Sequence, residues 1–468
     1  MNSSLPPRRW LLRGLALLAV LALLSPAGVA AVTDSSSDHA DLQRGTIQSP
    51  ADGETVVSVQ GFHFEGRDSE KKPARLVSVG ERGETEWVYN GSKRGATWFY
   101  DVDPMPNGNL LVTSTKPGTT LVYELDPETK EREWEEEFDL EDTHDVARLS
   151  EDELVVANMR QWDEGYDTSN DRVFVYNRTT GEITWEWYFK DHYPESTDGG
   201  MNEDWSHVND VDVLDDERLL LSPRNFDQAI IVDRETGEIE ERLGEDDDHD
   251  VLNEQHNPDY LESEDGAPTM LVADSENDRV VEYAKEDGEW TKTWEVGGPG
   301  QLNWPRDADR LPNGNTLITD TLNHRVIEVT PEGEIVWEYY ATWGPYDAER
   351  VEHGPESNGP TIADMEAQGT YDVRGSAGLR PGTGDRLPFA VRVEATFSET
   401  PLEGPMVEFA RTWSHVTPWI QPTWMTSWDF AFAVFGLLTA LGWGAVEVVY
   451  QRRRLLDRAR TVAARIRA

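Results

Sequence analysis

The stretch "NEDWSHVNDVDVLDDERLLLSPRN", residues 202–225, reads as a hydrophobic strand pair around a "DDER" turn, with His207, Asn209 and Arg224 toward its ends. An imidazole and a guanidinium stand out there, because the flanking chain is heavily acidic. What they do depends on what the rest of the sequence repeats.

The unit does repeat. A short extended segment leads into one β-rich run, then a second, then a turn of the form "ETGEI", often followed by Trp. The closing phrases are "GETEWVY" at 83, "ETKEREWEEEF" at 128, "TGEITWEWYF" at 180, "TGEIEERL" at 236, "GEWTKTWEV" at 288 and "GEIVWEYY" at 333. They mark six units of roughly 45–50 residues, the period of a four-stranded propeller blade. Alternation in "LLVTST", "TLVYEL", "DRVFVY", "QAIIVD", "DRVVEY" and "HRVIEV" supports strands over helices. The expected fold is all-β, a six-bladed β-propeller over residues 46–341.

In a propeller the innermost strand of each blade lines the central channel. Its start shares a face with the loop joining the second and third strands. Aligned on the "PNGN" or "DDER" turn, the mouth positions are Tyr100, His144, Asn209, His256 and Arg306. His207 lies two residues before Asn209, so strand alternation puts both on one face. Arg224 falls in a second-to-third-strand loop on that face, and Asn158 and Arg160 in "VANMRQ" occupy the matching loop one blade earlier. Three of the ten histidines and up to three arginines thus converge on one mouth.

A lone histidine at a strand end is most often a satisfied hydrogen-bonding residue. His192, His249, His324, His353 and His415 keep that reading. His144, His207 and His256 differ, because their repeat position is polar or basic again and again. The acid runs "EDDDHD" and "EWEEEFDLEDTHD" read as solvated surface, and the tryptophans of the closing phrases as packing between blades.

The formal charge, 42 − 90 = −48, argues against a nucleic-acid partner. The acids are spread along the chain, as in adaptation to high salt, where self-repulsion is screened. With no cysteine, disulfides and Cys-ligated metals are excluded. Residues 1–32 carry a basic start (Arg8, Arg9, Arg13) and an apolar run, and read as a signal peptide or N-terminal membrane anchor. An acidic linker is expected over 33–45. Residues 429–450 read as a transmembrane helix, preceded by Trp413, Trp419, Trp424 and Trp428 as an aromatic belt and followed by a basic tail, 451–468. The positive-inside rule puts both outer ends in the cytoplasm, and the propeller, with a 342–428 extension, on the extracellular side of the cell membrane. Within the extension "PFAVRVEATF" reads as a strand.

A mouth of imidazole, guanidinium and amide donors in an acidic protein suits a small oxyanion. Arginine offers a fixed fork of donors, and histidine donates, accepts or attacks. There is no glycine-rich phosphate loop or dinucleotide fingerprint, so no nucleotide or other cofactor is expected.

These residues resemble the PAPS-independent arylsulfate sulfotransferases, through "DWSHVNDVDVLDDERLLLSPRN", "THDV" around His144 and "QHNPDYL" around His256. The resemblance covers the propeller. It implies ping-pong transfer from an aryl sulfate donor to a phenolic or other hydroxyl acceptor, glycans included, with His207 as nucleophile. Arg224 would hold the sulfate, and Asn209, His144 and His256 would stabilise charge or exchange the phenolic proton. Arg306, Tyr100 and Arg160 share the mouth by position and are expected to bind substrate. The bacterial enzymes carry a disulfide and an N-terminal β-domain, which this cysteine-free chain lacks.

Two rivals remain at this level. Blade six resembles an NHL-type repeat, so a non-enzymatic ligand- or partner-binding propeller is the alternative. Three histidines also suit zinc, but Arg224 beside them would repel a cation, so no metal is expected at the mouth.

Overall fold

Runs that alternate apolar and polar residues fold into six antiparallel sheets, each with four blade strands. The structure, a computed structural model, describes residues 8–33, 42–63, 70–375, 387–398 and 400–467. Positions 34–41 of the expected linker and residues 376–386 lie outside them.

Blade 1 takes its innermost strand, Pro345–Arg350, from the far end of the domain and pairs it with Thr55–Val59, then Arg75–Val79 and Thr85–Asn90. Blade 2 runs outward through Trp98–Pro104, Leu110–Lys116, Thr119–Leu125 and Arg132–Phe138. Blade 3 comprises Val146–Arg148, Glu153–Asn158, Arg172–Asn177 and Glu182–Tyr188. Blade 4 comprises Val208–Val213, Arg218–Pro223, Gln228–Asp233 and Ile239–Gly244. Blade 5 has His256–Glu262, Pro268–Asp274, Arg279–Glu286 and Glu289–Gly297, with Gly369–Tyr371 added in parallel at its edge. Blade 6 has Pro305–Arg310, Thr316–Asp320, Arg325–Val329 and Ile335–Ala341, and Leu42–Ile47 covers its outer edge.

The ring closes where the repeats fall silent. The strand that completes blade 1 starts at Pro345, beyond Ala341, so chain from both ends of the domain shares one sheet. Six apolar clusters, one between each pair of neighbouring blades, confirm the ring order. Val56, Leu76, Val112 and Tyr123 join blades 1 and 2, and Leu111, Val122, Val156 and Phe174 join 2 and 3. Val155, Trp187, Leu219 and Leu221 join 3 and 4, and Leu220, Ile231, Met270 and Val281 join 4 and 5. Leu271, Trp294, Ile318 and Ile327 join 5 and 6, and Leu317, Trp337, Val57 and Val77 close the circle from 6 to 1. Leu220 faces one neighbour while Leu219 and Leu221 face the other, as a strand period of two requires. Truncating one such leucine to alanine costs about 2–5 kcal/mol.

The turns repeat in atomic detail. In "PNGN" Gly108 adopts φ 87°, and Asn107 and Asn109 both donate to Glu124 of the third strand at 2.7 and 2.6 Å. Blade 6 copies this with Asn313 and Asn315 on Glu328, at 3.1 and 2.7 Å. The outer-strand tryptophans do pack between blades: Trp187 Nε1 donates to Gly237 O at 2.9 Å, and Trp294 Nε1 to Pro331 O at 2.7 Å.

Residues 389–397, expected as a strand, form a helix, Phe389–Phe397, followed by a second, Glu403–Ile420. "FAVRVEATF" supports either period, but Phe389, Val393 and Phe397 are spaced by four. Phe389 packs on Trp413, ring centroids 5.0 Å apart, which the helical period permits.

The termini form a separate unit. Its helices are α1, Arg8–Thr33, and a long helix, Ser427–Arg467. Arg8–Thr33 and Ser427–Arg452 are long and apolar enough to cross a membrane, with mean hydropathies of 2.4 and 1.8.

Candidate active site

Each inner strand enters the channel with one side chain at its mouth. His144, Tyr100, Arg306 and Tyr346 all reach that point and are nearly or fully buried. Tyr100 lies 4.0 Å from His144 and 5.0 Å from Tyr346, centroid to centroid. His144 lies 5.2 Å from His207, and His256 lies 5.9 Å from Tyr346. The three histidines named from sequence are therefore brought together.

His207 does not sit in the strand. It precedes Val208–Val213 in a left-handed conformation, φ 41°, which costs a residue with a Cβ about 1–3 kcal/mol. The loop is pinned to hold it there. Ser206 donates from its N and its Oγ to Asp171 at 3.0 and 2.7 Å, and the buried Trp205 donates to Thr197 O at 2.9 Å. Strand alternation from Asn209 therefore does not set the direction of His207; the pinned turn does.

Asp204 lies 2.9 Å from His207 Nδ1 through each of its oxygens. An ionised carboxylate only accepts, so Nδ1 carries the proton and Nε2 keeps its lone pair. Among the described residues no hydrogen bond engages Nε2. Burial pushes the imidazole down to about 4, Arg224 and His144 add to that, and Asp204 opposes it. Burial disfavours the Asp204 anion, yet the bonds from His207 and Arg160 hold it below the usual carboxylate range.

Arg160 joins this carboxylate to a second one. Its Nε donates to Asp204 at 2.9 Å and its Nη1 contacts Asp142 at 2.7 Å. Asp142 also takes the Tyr100 hydroxyl and lies 3.8 Å from His144 Nε2. The opposite nitrogen of His144, Nδ1, is 2.8 Å from the Tyr346 hydroxyl. Burial lowers the His144 pKa against the pull of Asp142, and burial with Asp142 raises the Tyr100 hydroxyl well above its ordinary value.

His256 is oriented in the same sense as His207. Its Nδ1 lies 2.8 Å from Ser275 Oγ, which itself donates to Pro305 O at 2.6 Å. Ser275 thus accepts from Nδ1–H, and Nε2 is left unprotonated. Burial, then Arg306 and Arg224, hold this histidine well below its usual pKa.

The cations are poised for an anion. Arg306 is 7% exposed, lies over the rings of Trp304 (4.3 Å) and Tyr346 (4.7 Å), and has no hydrogen-bond partner for Nε or Nη1 among the described residues. Arg224 begins the turn after Arg218–Pro223 and pairs with Glu254, and its Nε has no partner among the described residues. An unpaired buried guanidinium is costly, and an oxyanion satisfies it.

Asn209 is fully buried and donates to Gln255 O at 2.9 Å, next to His256, rather than to the other mouth residues. Asn158 likewise turns inward, accepting from Arg172 at 3.2 Å. The sequence reading missed Asp142, Asp204, Trp304 and Tyr346. Signals existed: an acid stands two or three residues before His144 and His207, and "YDAE" at Tyr346 echoes "YDVD" at Tyr100.

The family model described as Arylsulfotransferase (ASST) matches residues 54–295, just over half of the chain. No curated protein matches. Among solved structures, a protein of unknown function from Bacteroides caccae is 14% identical, with 62% of this chain and 93% of that one covered and a TM-score of 0.42. Virginiamycin B lyase from Staphylococcus aureus is 12% identical over 64% and 88%, TM-score 0.38. Hydrazine synthase of Kuenenia stuttgartiensis is 14% identical over 56% and 72%, TM-score 0.34.

Proposed function

The chain belongs to the arylsulfotransferase family, and we propose that it transfers a sulfuryl group from an aryl sulfate to a phenolic or other hydroxyl acceptor through a sulfohistidine at His207. The observation that carries this is the Asp204–His207 pair, which fixes a neutral imidazole with Nε2 free and within reach of the Arg224 charge.

In the first half-reaction Nε2 attacks sulfur, the N–S bond forms, and the S–O(aryl) bond breaks to release a phenolate. The imidazole becomes cationic, and Asp204, 2.9 Å from Nδ1, stabilises that charge. Arg224 and Arg306 neutralise the sulfuryl oxygens, an electrostatic role that sulfuryl transfer shares with phosphoryl transfer. In the second half the acceptor hydroxyl gives its proton to His256 Nε2, its oxygen attacks sulfur, and the N–S bond breaks. His144, held between Tyr346 and Asp142, steadies the mouth with Tyr100, Asn209 and Arg160.

The propeller would act at the outer face of the cell membrane, with basic residues at 8–13 and 452–454 on the inner side. Its dispersed acids suit high salt. The test mixes the full-length protein in detergent with a chromogenic aryl sulfate, with and without a phenol, at low and high salt. Acceptor-dependent aryl release, and a sulfuryl-sized mass gain that His207→Ala abolishes, are expected. No release and no adduct across several donors would instead leave a ligand-binding propeller.

A further inference from the structure

Directly beneath the mouth the channel turns acidic. On five of the six inner strands the mouth residue is followed at once by an aspartate, as in Tyr100–Asp101, His144–Asp145 and Asn209–Asp210, and a second acidic tier lies two residues deeper. The cavity there, about 30 Å³, is lined by nine aspartates and two glutamates, and by no Lys, Arg or His. Such a volume holds a water or a small ion.

Part of this ring is architectural. Asp347 accepts from Val102 N at 2.8 Å, Asp145 from Val211 N at 2.6 Å and Asp307 from Ala348 N at 3.2 Å, each tying one inner strand to the next blade. The rest is not explained that way. One oxygen each of Asp101, Asp210 and Asp309 has no hydrogen-bond partner among the described residues, although these side chains belong to residues only 8%, 5% and 5% exposed. Asn257 Oδ1, beside the same cavity, likewise has no partner among the described residues. Buried acceptors in this number ask for a donor or a cation.

The spacing selects between them. One oxygen from each of Asp145, Asp210 and Asp212 lies within 4.8 Å of the others, and Asp212, Asp259 and Glu356 form a second such group. Two oxygens on one calcium, each at about 2.3–2.6 Å, are separated by at most about twice that length. An all-oxygen, carboxylate-rich set with no nitrogen or sulfur donor suits a hard divalent ion.

We propose that the channel floor is a binding site for a calcium-class divalent cation, held by Asp145, Asp210 and Asp212, with Asp212 shared toward Asp259 and Glu356. The ion joins blades 3 and 4 directly under His144 and His207. It also neutralises the carboxylates that would otherwise face the bound anion. The site stands independently of the transfer reaction, and its test reads binding and stability alone.

Full-length protein in detergent is stripped with a chelator, loaded with Ca²⁺ alone, desalted and assayed for metal content and melting temperature. Stoichiometric calcium and a melting temperature above that of the stripped protein are expected, since a ligand of the native state stabilises it. Asp210→Asn should lose both the calcium and the shift. Its stripped form should melt no lower than stripped wild type, because one repelling charge is gone. Asp212→Asn serves if Asp210→Asn does not fold. Asp247→Asn, an exposed acid grouped with the buried Asp227 and with His249 at the surface, should keep both. Equal metal content and melting temperature with and without calcium would overturn the proposal. So would calcium that survives both floor substitutions, which assigns it to surface acids.

Discussion

The Tyr346 hydroxyl lies 2.8 Å from His144 Nδ1, across 202 positions of sequence. The contact exists because Pro345–Arg350 closes the ring and inserts its first side chains into the mouth. Tyr346 there touches Tyr100, His144 and His256 and lies under Arg306. Its ring thus contacts both histidines that flank the proposed nucleophile.

Tyr346→Phe keeps the ring and its packing but removes the donor that fixes the His144 tautomer. A lost hydrogen bond at a buried group costs about 1–3 kcal/mol. Because the His144 tautomer matters most in the transition state, that cost is expected to fall there, lowering kcat roughly 5- to 150-fold by the usual conversion with KM little changed. Steady-state kinetics beside a thermal melt check it. Equal losses in melting temperature and activity would mark Tyr346 as packing only.

Protonation of His207 sets an acid limit. Attack needs a neutral Nε2, and burial has moved this imidazole from its ordinary value near ~6.5 to about 4. Activity should therefore persist as pH falls through 6 and fail only near 4. The sign for stability agrees: between those values the unfolded chain binds the proton and the folded chain does not. Stability from this group is complete above the unfolded value and is lost as pH falls through the folded one, roughly 3 kcal/mol in all. A pH–rate profile for kcat/KM, beside unfolding at matched pH, measures both. Asp204→Asn should lower kcat by about 10²-fold or more, and, by removing the group that supports the cation, move the acid limb lower still.

Much of this was legible in the sequence, for definite reasons. Six strand-period repeats with matching turns allow one architecture, and the family motifs point to His144, His207, His256 and Arg224. What stayed hidden was non-local or non-periodic. Tyr346 belongs to a strand with no adjacent hairpin partner, so its repeat context is split between the two ends of the domain. His207 is aimed by a left-handed turn pinned by Asp171, which no alternation rule describes. Phe389–Phe397 satisfies both periods, and only its packing on Trp413 decides for helix. The acidic floor read as general surface acidity, because burial cannot be seen in composition.

Arg306 and Arg224 differ in what they already hold. Arg224 pairs with Glu254, whereas Arg306 is wrapped by two aromatic rings and has two unpartnered nitrogens. Lysine cannot reproduce a stacked planar fork. Arg306→Lys should therefore lower kcat/KM by about 10- to 150-fold, the range for bonds to charged groups, while Glu254→Gln should change it far less. Kinetics on one aryl sulfate, with sulfate ion as competitive inhibitor, separates them: Arg306→Lys should weaken sulfate inhibition as well.

Arg13 Nε and Nη2 donate to the two oxygens of Glu447 at 2.7 and 2.6 Å, a bidentate pair between the two helices that carry the apolar, membrane-length segments. Removing the N-terminal helix would leave Glu447 with the neutral Gln451, 2.8 Å away, as its hydrogen-bond partner among the described residues, in a segment fit to cross a membrane, where a poorly paired acid is costly. The helix is thus expected to stay in the mature protein as a second anchor. The intact mass of protein from its native membrane checks this, and a mass that begins after residue 33 would sink it. The chain has no cysteine, so one cysteine introduced into each helix reports their contact without ambiguity. Cross-linking should drop with Glu447→Leu, which strands Arg13, and recover when Arg13→Leu is added. Removing one partner of a pair held at membrane depth harms more than replacing both with apolar residues.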